Sequence, residues 1–277
     1  MITGSTIIAG VIGSPVGHSL SPALHNAAFE AAGVDWVYVA FDVEPGRAAD
    51  ALHAMRTLQL GGLSVTMPHK ESVADACDEL DAAAATLRSV NTVVRTDEGR
   101  LRGYSTDGAG FVASLREHGV EPAGARVVVL GAGGAARSVV DALARGGAGQ
   151  VVVVNRSHDR AEACASVAGP IGRVGDGTDV SAADILINAT SVGMGDDRSI
   201  PCDPAALRPG QVIADLVYHP LRTPLLEAAT SVGATTVDGL GMLVHQAALQ
   251  QLLWRGALPD TDVMREAALR ELASRPR

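Results

Sequence analysis

Residues 126–145 read RVVVLGAGGAARSVVDALAR, and residues 150–160 read QVVVVNRSHDR. A Val/Leu run, a glycine turn, a helical repeat closed by Gly146 and a second valine run follow one another without a linker. Two parallel strands can only be joined by a long crossover, so this order predicts a strand–helix–strand unit. The pattern then repeats. HDRAEACASVA reads as a second helix, and ADILINATSVGM (183–194) and QVIADLVYHP (211–220) as further strands, each ending in polar or turn residues. Such alternation predicts an α/β fold with a doubly wound parallel sheet of the Rossmann type.

The glycine turn admits two readings. Gly131, Ala132, Gly133, Gly134 and Ala135 open the helix with small residues. They suit a pyrophosphate lying on free backbone N–H groups, and they also suit a plain glycine-rich helix cap. The last glycine of G-x-G-x-x-G is replaced by Ala136, still small enough for close packing. The end of the next strand weighs for the nucleotide. There an NAD site places an acidic residue on the ribose. This chain has Asn155, Arg156 and Ser157, with Arg160 one turn on. A carboxylate would repel a 2′-phosphate, whereas an arginine pair holds it by charge-assisted hydrogen bonds. The expected cofactor is therefore NADP rather than NAD.

The first hundred residues also alternate strand and helix. TIIAGVIG (6–13) is read as a buried strand, SPALHNAAFEAAGV as a helix, and WVYVAFDV (36–43) as a strand. PGRAADALHAMRTL is read as a helix with Pro45 at its start. GGLSVTMPHK (61–70) is a strand running into a turn, and VNTVVRTDEGRLRGY (90–104) two short strands around a D-E-G turn. The last two segments, GLGMLVHQAALQQLLWRGA and DVMREAALRELAS, read as helices. A boundary is expected near residues 106–110.

Composition narrows the function classes. The net charge of −9 argues against general nucleic-acid binding. Cys77, Cys164 and Cys202 are widely spaced with no C-x-x-C, so neither a disulfide framework nor a metal site is expected, and a reducing cytoplasm is. The N-terminal apolar run lacks a basic flank and reads as a strand rather than a signal peptide. No 18-residue apolar stretch occurs, so no membrane span is expected.

Two polar clusters stand out in the first half. In GSPVGHSLSPALHN, Ser19 and Ser21 suit a carboxylate, and Ser21 before Pro22 also suits plain N-capping. In SVTMPHK, Thr66 and Lys70 lie just past a strand end, where a lysine is most often a solvated charge. Asp107 in YSTDG reads equally as a helix cap, and Asn91 as a turn residue.

Taken in order, SLSPALHN, SVTMPHK, VNT, STDGAGF, GAGGAAR, NRSHDRA, INATSVGM, DLVYHPLRTPLL and DGLGMLVHQAA resemble the shikimate dehydrogenases over nearly the full length. The resemblance implies reversible NADPH-dependent reduction of 3-dehydroshikimate to shikimate, a step towards chorismate and the aromatic amino acids. It implies Lys70 and Asp107 as the catalytic pair. Ser19, Ser21, Ser64, Thr66, Asn91, Tyr218 and Gln246 would contact substrate. Gly131 to Ala135, Asn155, Arg156, Ser157, Arg160, Leu216 and Gly239 would line the cofactor site. It further implies a substrate domain over 1–106 with 242–277 packing back onto it, and an NADP domain over 107–241. Monomer and homodimer both stay open. The family usually carries Asn where this chain has Ser64, and commonly Asn at Ser105. The shorter Ser64 is expected to enlarge the pocket, which bears on substrate preference more than on reaction type.

The residue types fit a ketone reduction, which needs hydride on carbon and a proton on oxygen. Lys70 can exchange that proton while its ammonium stabilises the developing alkoxide, and Asp107 can orient it and accept from a ring hydroxyl. Competing readings are a quinate or aminoshikimate dehydrogenase on the same scaffold and a non-catalytic NADP sensor. The presence of both Lys70 and Asp107 weighs against the sensor.

Overall fold

The computed structural model describes residues 2–275. The chain divides into two compact units, one holding the residues up to Thr106 together with those from Val244 onward, the other Asp107–Leu243.

The first unit contains β1 (Ile7–Gly13), α1 (Ser21–Ala31), β2 (Trp36–Asp42), α2 (Ala48–Thr57), β3 (Gly62–Val65), α3 (Lys70–Ala76), β4 (Glu79–Leu80), α4 (Ala82–Leu87), β5 (Thr92–Arg95) and β6 (Leu101–Tyr104). Its six strands run in the order β2-β1-β3-β5-β6-β4. β1 is parallel to β2 and β3. β5 is antiparallel to β3 and also to β6, the latter because the short Thr96–Arg100 turn can only reverse the chain. Side chains alternate across the sheet. Ala9 and Val11 pack with Phe29 and Tyr38 on one face, while Ile12 joins Leu52, Met55, Leu63 and Val93 on the other.

Two details differ from the sequence reading. The helix expected from Pro45 begins only at Ala48, because Gly46 takes a left-handed φ of +87° and closes a turn that a helix cannot continue. Lys70, expected in a loop, is instead the first residue of α3.

The second unit contains α5 (Asp107–Glu117), β7 (Arg126–Leu130), α6 (Gly134–Arg145), β8 (Gln150–Val154), α7 (His158–Ala165), β9 (Gly172–Val174), β10 (Ile185–Asn188), β11 (Val212–Asp215), α8 (Pro224–Ser231) and β12 (Thr235–Val237). Its strand order is β12-β11-β10-β7-β8-β9, and every neighbouring pair is parallel. Counted from β7, this is the doubly wound order 3-2-1-4-5-6 read from the β9 edge, which puts the topological switch point between β7 and β10. Val127 and Val129 enter one core, Val128 and Leu130 the other, which explains why the strand is apolar at consecutive positions.

β10 and β11 stop earlier than the sequence suggested. Asn188 Oδ1 accepts from the Thr190 N–H, and Asp215 Oδ1 accepts from the Val217 N–H. These local turns take the backbone out of the sheet at the strands' carboxyl ends. α9 (Gly239–Arg255) starts in the second unit and belongs to the first from Val244, and α10 (Thr261–Ser274) packs on α1.

Candidate active site

In the first unit the polar candidates gather where β1, β3 and β5 meet. The Thr66 N–H donates to Ile12 O, and the His69 N–H closes the turn on Thr66 O. The buried His69 ring donates from Nε2 to Val43 O at 2.7 Å, which fixes the residue before Lys70. The Val90 N–H then donates to Lys70 O at 3.0 Å, and the Val65 N–H to Asn91 O at 2.8 Å. These backbone bonds bring Thr66, Lys70 and Asn91 together from three separate stretches. Lys70 and Thr66 are half-buried and Asn91 is buried.

Asn91 is held in one orientation. Its Oδ1 accepts from the Thr106 N–H at 2.8 Å and from Thr92 Oγ1 at 2.9 Å, while its Nδ2 donates to Thr106 Oγ1 at 2.9 Å. Nδ2 also approaches Gln246 Oε1 at 3.4 Å, and Gln250 Nε2 donates to that same oxygen at 2.8 Å. Two donors on Gln246 Oε1 decide which end of that amide is nitrogen.

Ser64 is buried with both hydrogen-bonding roles engaged. It accepts from the Tyr38 hydroxyl and donates to Gln250 Oε1, each at 2.7 Å. The hydroxyl of Ser64 thus links the Tyr38 phenol to the Gln250 amide. Ser19 and Ser21 meet at the start of α1, where Ser19 Oγ accepts from the Ser21 N–H at 3.2 Å. Ser21 does not cap the helix. Leu20 occupies the cap position, without a side-chain cap bond. Burial pushes the Tyr38 phenol well above its usual range, so it stays protonated and able to donate.

In the second unit the candidates lie on the open ends of β7 and β8. Gly131 has φ of +107°, a conformation that side-chained residues rarely adopt. A β-carbon on Gly133 or Gly134 would meet nothing within 4 Å. Protein packing therefore does not demand glycine there, whereas a ligand lying against the backbone would. Gly133, the cap of α6, makes no side-chain cap bond, and no acidic residue stands in the first turn. Ala135 is exposed and Ala132 half-buried. Beside them Asn155 Nδ2 donates to Ser157 O at 3.0 Å, while Arg156, Ser157 and Arg160 are exposed. This set fits a dinucleotide carrying an extra phosphate: backbone donors for the pyrophosphate, two cations for the second anion.

Leu216 and Gly239, distant in sequence, are pressed together. A β-carbon at Gly239 would stand 2.5 Å from Leu216 O. Tyr218 follows on the loop after β11, half-buried. Asp107 opens α5 and is half-buried. Among the described residues no group of three His, Cys, Asp or Glu side chains is placed to hold a metal ion.

Comparison with known proteins matches this arrangement. The shikimate dehydrogenase substrate-binding domain model covers residues 11–93, the shikimate/quinate 5-dehydrogenase model 114–193, and the shikimate 5′-dehydrogenase C-terminal domain model 239–269. A shikimate dehydrogenase (NADP(+)) of Methanopyrus kandleri is 46% identical over 98% of this chain and 98% of its own. This chain belongs to the shikimate dehydrogenase family. Among solved structures, the shikimate 5-dehydrogenase of Thermus thermophilus in complex with NADP(H) and shikimate is 38% identical, covers 96% of this chain and 100% of its own, and superposes with a TM-score of 0.90. The quinate dehydrogenase of Corynebacterium glutamicum in complex with NAD is 34% identical at a TM-score of 0.90, over 96% of this chain and 99% of its own.

Within this member of the shikimate dehydrogenase family, sequence reasoning passed over Tyr38, His25 and Gln250. Gln250 had a visible signal, since it lies four residues after Gln246 and so on the same helix face. His25 and Tyr38 gave none, because a buried histidine in a helix and a tyrosine in a strand look like ordinary core. The structure stacks their rings 4.2 Å apart at 14°.

Proposed function

We propose that this chain catalyses the reversible, NADP-dependent oxidation of shikimate to 3-dehydroshikimate. The observation that carries the reading is 46% identity over 98% of the chain to an enzyme named for this activity and cofactor. The exposed Arg156 and Arg160, with no acidic residue at the end of β8, support NADP over NAD.

Bound NADP supplies the hydride-accepting and hydride-donating ring. The protein's own residues do the rest. Lys70 takes the proton from the alcohol oxygen in the oxidative direction and returns it in the reductive one, its positive charge favouring the alkoxide-like transition state. Asp107 accepts a hydrogen bond from a ring hydroxyl and orients the proton exchange. Ser19 and Ser21 offer hydroxyl donors to the carboxylate. Asn91, Thr66, Gln246 and Tyr218 bond the ring hydroxyls. With NADP bound, Leu216 and Gly239 would line its site, and the backbone from Gly131 to Ala135 would face the pyrophosphate. The three free cysteines support a reducing compartment such as the cytoplasm. No helix among the described residues is long and apolar enough to cross a membrane.

The test is absorbance at 340 nm. Shikimate with NADP⁺ is expected to yield NADPH, with kcat/KM at least about 10²-fold above that for quinate, the scale on which a pocket rejects one added hydroxyl. Equal efficiency with quinate would reassign the substrate, and no turnover with either would reject the reading.

A further inference from the structure

We propose that His25 is a positioning residue of the substrate site, whose neutral ring orients Tyr38 and the amide of Gln250 and, through them, Ser64 and Gln246. The proposal rests on the functional reading above and goes beyond it.

His25 lies in α1 with 0% of its surface exposed. A histidine that merely filled space would be replaced at lower desolvation cost by an apolar ring. Here both ring nitrogens are used. Nε2 stands 3.2 Å from Gln250 Oε1, and an amide oxygen only accepts, so Nε2 carries the hydrogen. Nδ1 accepts from Gln251 Nε2 at 3.2 Å. Arg255 Nη1 donates to Gln251 Oε1 at 2.7 Å, which pins that amide and so pins the tautomer. Burial lowers the imidazole pKa to about 3, and the ring stays neutral at physiological pH.

From this ring two paths lead to the site. The first is the stack on Tyr38, whose hydroxyl donates to Ser64 Oγ at 2.7 Å. The second is Gln250. Its Oε1 receives His25 and Ser64, and its Nε2 donates to Gln246 Oε1 at 2.8 Å. Every bond has one permitted direction. If Nε2 lost its hydrogen, Gln250 would turn its amide, and its oxygen would then oppose the oxygen of Gln246. The tautomer of a ring in the core thus decides what the pocket wall offers to substrate hydroxyls.

The test uses steady-state kinetics of the full chain with each substrate varied, well below each variant's melting temperature. His25→Phe keeps a stacking ring and removes both hydrogen bonds. His25→Gln returns an N–H donor near the Nε2 position. The KM for shikimate is expected to rise about tenfold in His25→Phe, the scale of one or two neutral hydrogen bonds. The KM for NADP⁺ should stay within about twofold, and His25→Gln should recover most of the loss. A purely structural role would lower the active fraction and leave the KM for shikimate alone. Tyr38→Phe, which deletes only the hydroxyl, should also raise that KM, and its effect should be less than additive with His25→Phe. An unchanged shikimate KM in His25→Phe, or an equal rise in both KM values, would overturn the proposal. Should His25→Phe fail to fold, an unchanged shikimate KM in Tyr38→Phe overturns it instead. A wild type inert towards shikimate rejects the functional reading and this inference with it, whereas an active wild type with insensitive variants rejects the inference alone.

Discussion

In the first unit Asn91, Ser64 and Gln246 are 3%, 5% and 8% exposed, and each is bonded to another buried polar side chain. In the second unit Gly133, Gly134, Ala135, Arg156 and Arg160 lie open to solvent. On the proposed function, the contrast follows from what each would hold. A small polyhydroxy ring is told from its relatives by the direction of a few hydrogen bonds, and direction survives only where buried groups lock one another. A long polyanionic cofactor can be held by helix-start N–H groups and exposed cations, which need charge more than fixed geometry. Residues of the first kind should therefore act on discrimination and chemistry, and those of the second on affinity for one cofactor.

The largest effect is expected at Lys70, where the comparison meets the chemical step. Lys70→Ala should lower kcat by roughly 10²–10⁴ with a smaller change in KM. A large rise in shikimate KM at intact kcat would make it a binding residue like its neighbours. Next comes Arg156→Ala, which should raise the KM for NADP⁺ by about 10- to 150-fold and leave that for NAD⁺ nearly unchanged. Equal weakening of both would remove the 2′-phosphate from the argument.

Ser64→Asn probes the locked wall directly. The longer side chain must displace the Tyr38 hydroxyl or Gln250, at a cost to stability of about 1–3 kcal/mol, read by thermal unfolding. Adding Tyr38→Phe should return part of that loss. An unshifted melting temperature in the single variant would mean that the pocket wall is not close-packed there.

The smallest effect is expected at Asp179, in the cofactor unit but outside its open site. Its carboxylate pairs with Arg173 and, at 2.6 Å, with Arg126, and the Arg173 hydrogen bond first among the causes holds its pKa at about 2, below the usual 3.8. A lowered folded-state pKa adds stability above the unfolded value, and that stability is lost as pH falls through the folded one. Asp179→Asn should thus melt a few degrees lower at pH 7. The gap should close between about pH 4 and pH 2. The KM for NADP⁺ should stay unchanged, and a rise in it would tie this ion-pair cluster to the cofactor site.

Much of this chain is readable from local pattern. β7, α6 and β8 are set by runs of Val and Leu and by glycines, because periodicity, turn propensity and helix signals act over a few neighbouring residues. The basic end of β8 is legible for the same reason, since its meaning depends on its place in a strand–turn–helix unit. Strands as short as Glu79–Leu80 or Gly172–Val174 leave no such trace, and only pairing with a neighbour makes them strands. The first half of the site depends on pairs that no window contains. Tyr38 meets Ser64 across 26 residues, Ser64 meets Gln250 across 186, and His25 meets Gln250 across 225. Whether Ser64 leaves a hole or fills a bond, and whether His25 is core or wall, is decided by which distant side chain folding brings against it. That outcome belongs to the packed chain, where a buried polar group must find its partner or pay the cost of its lost water.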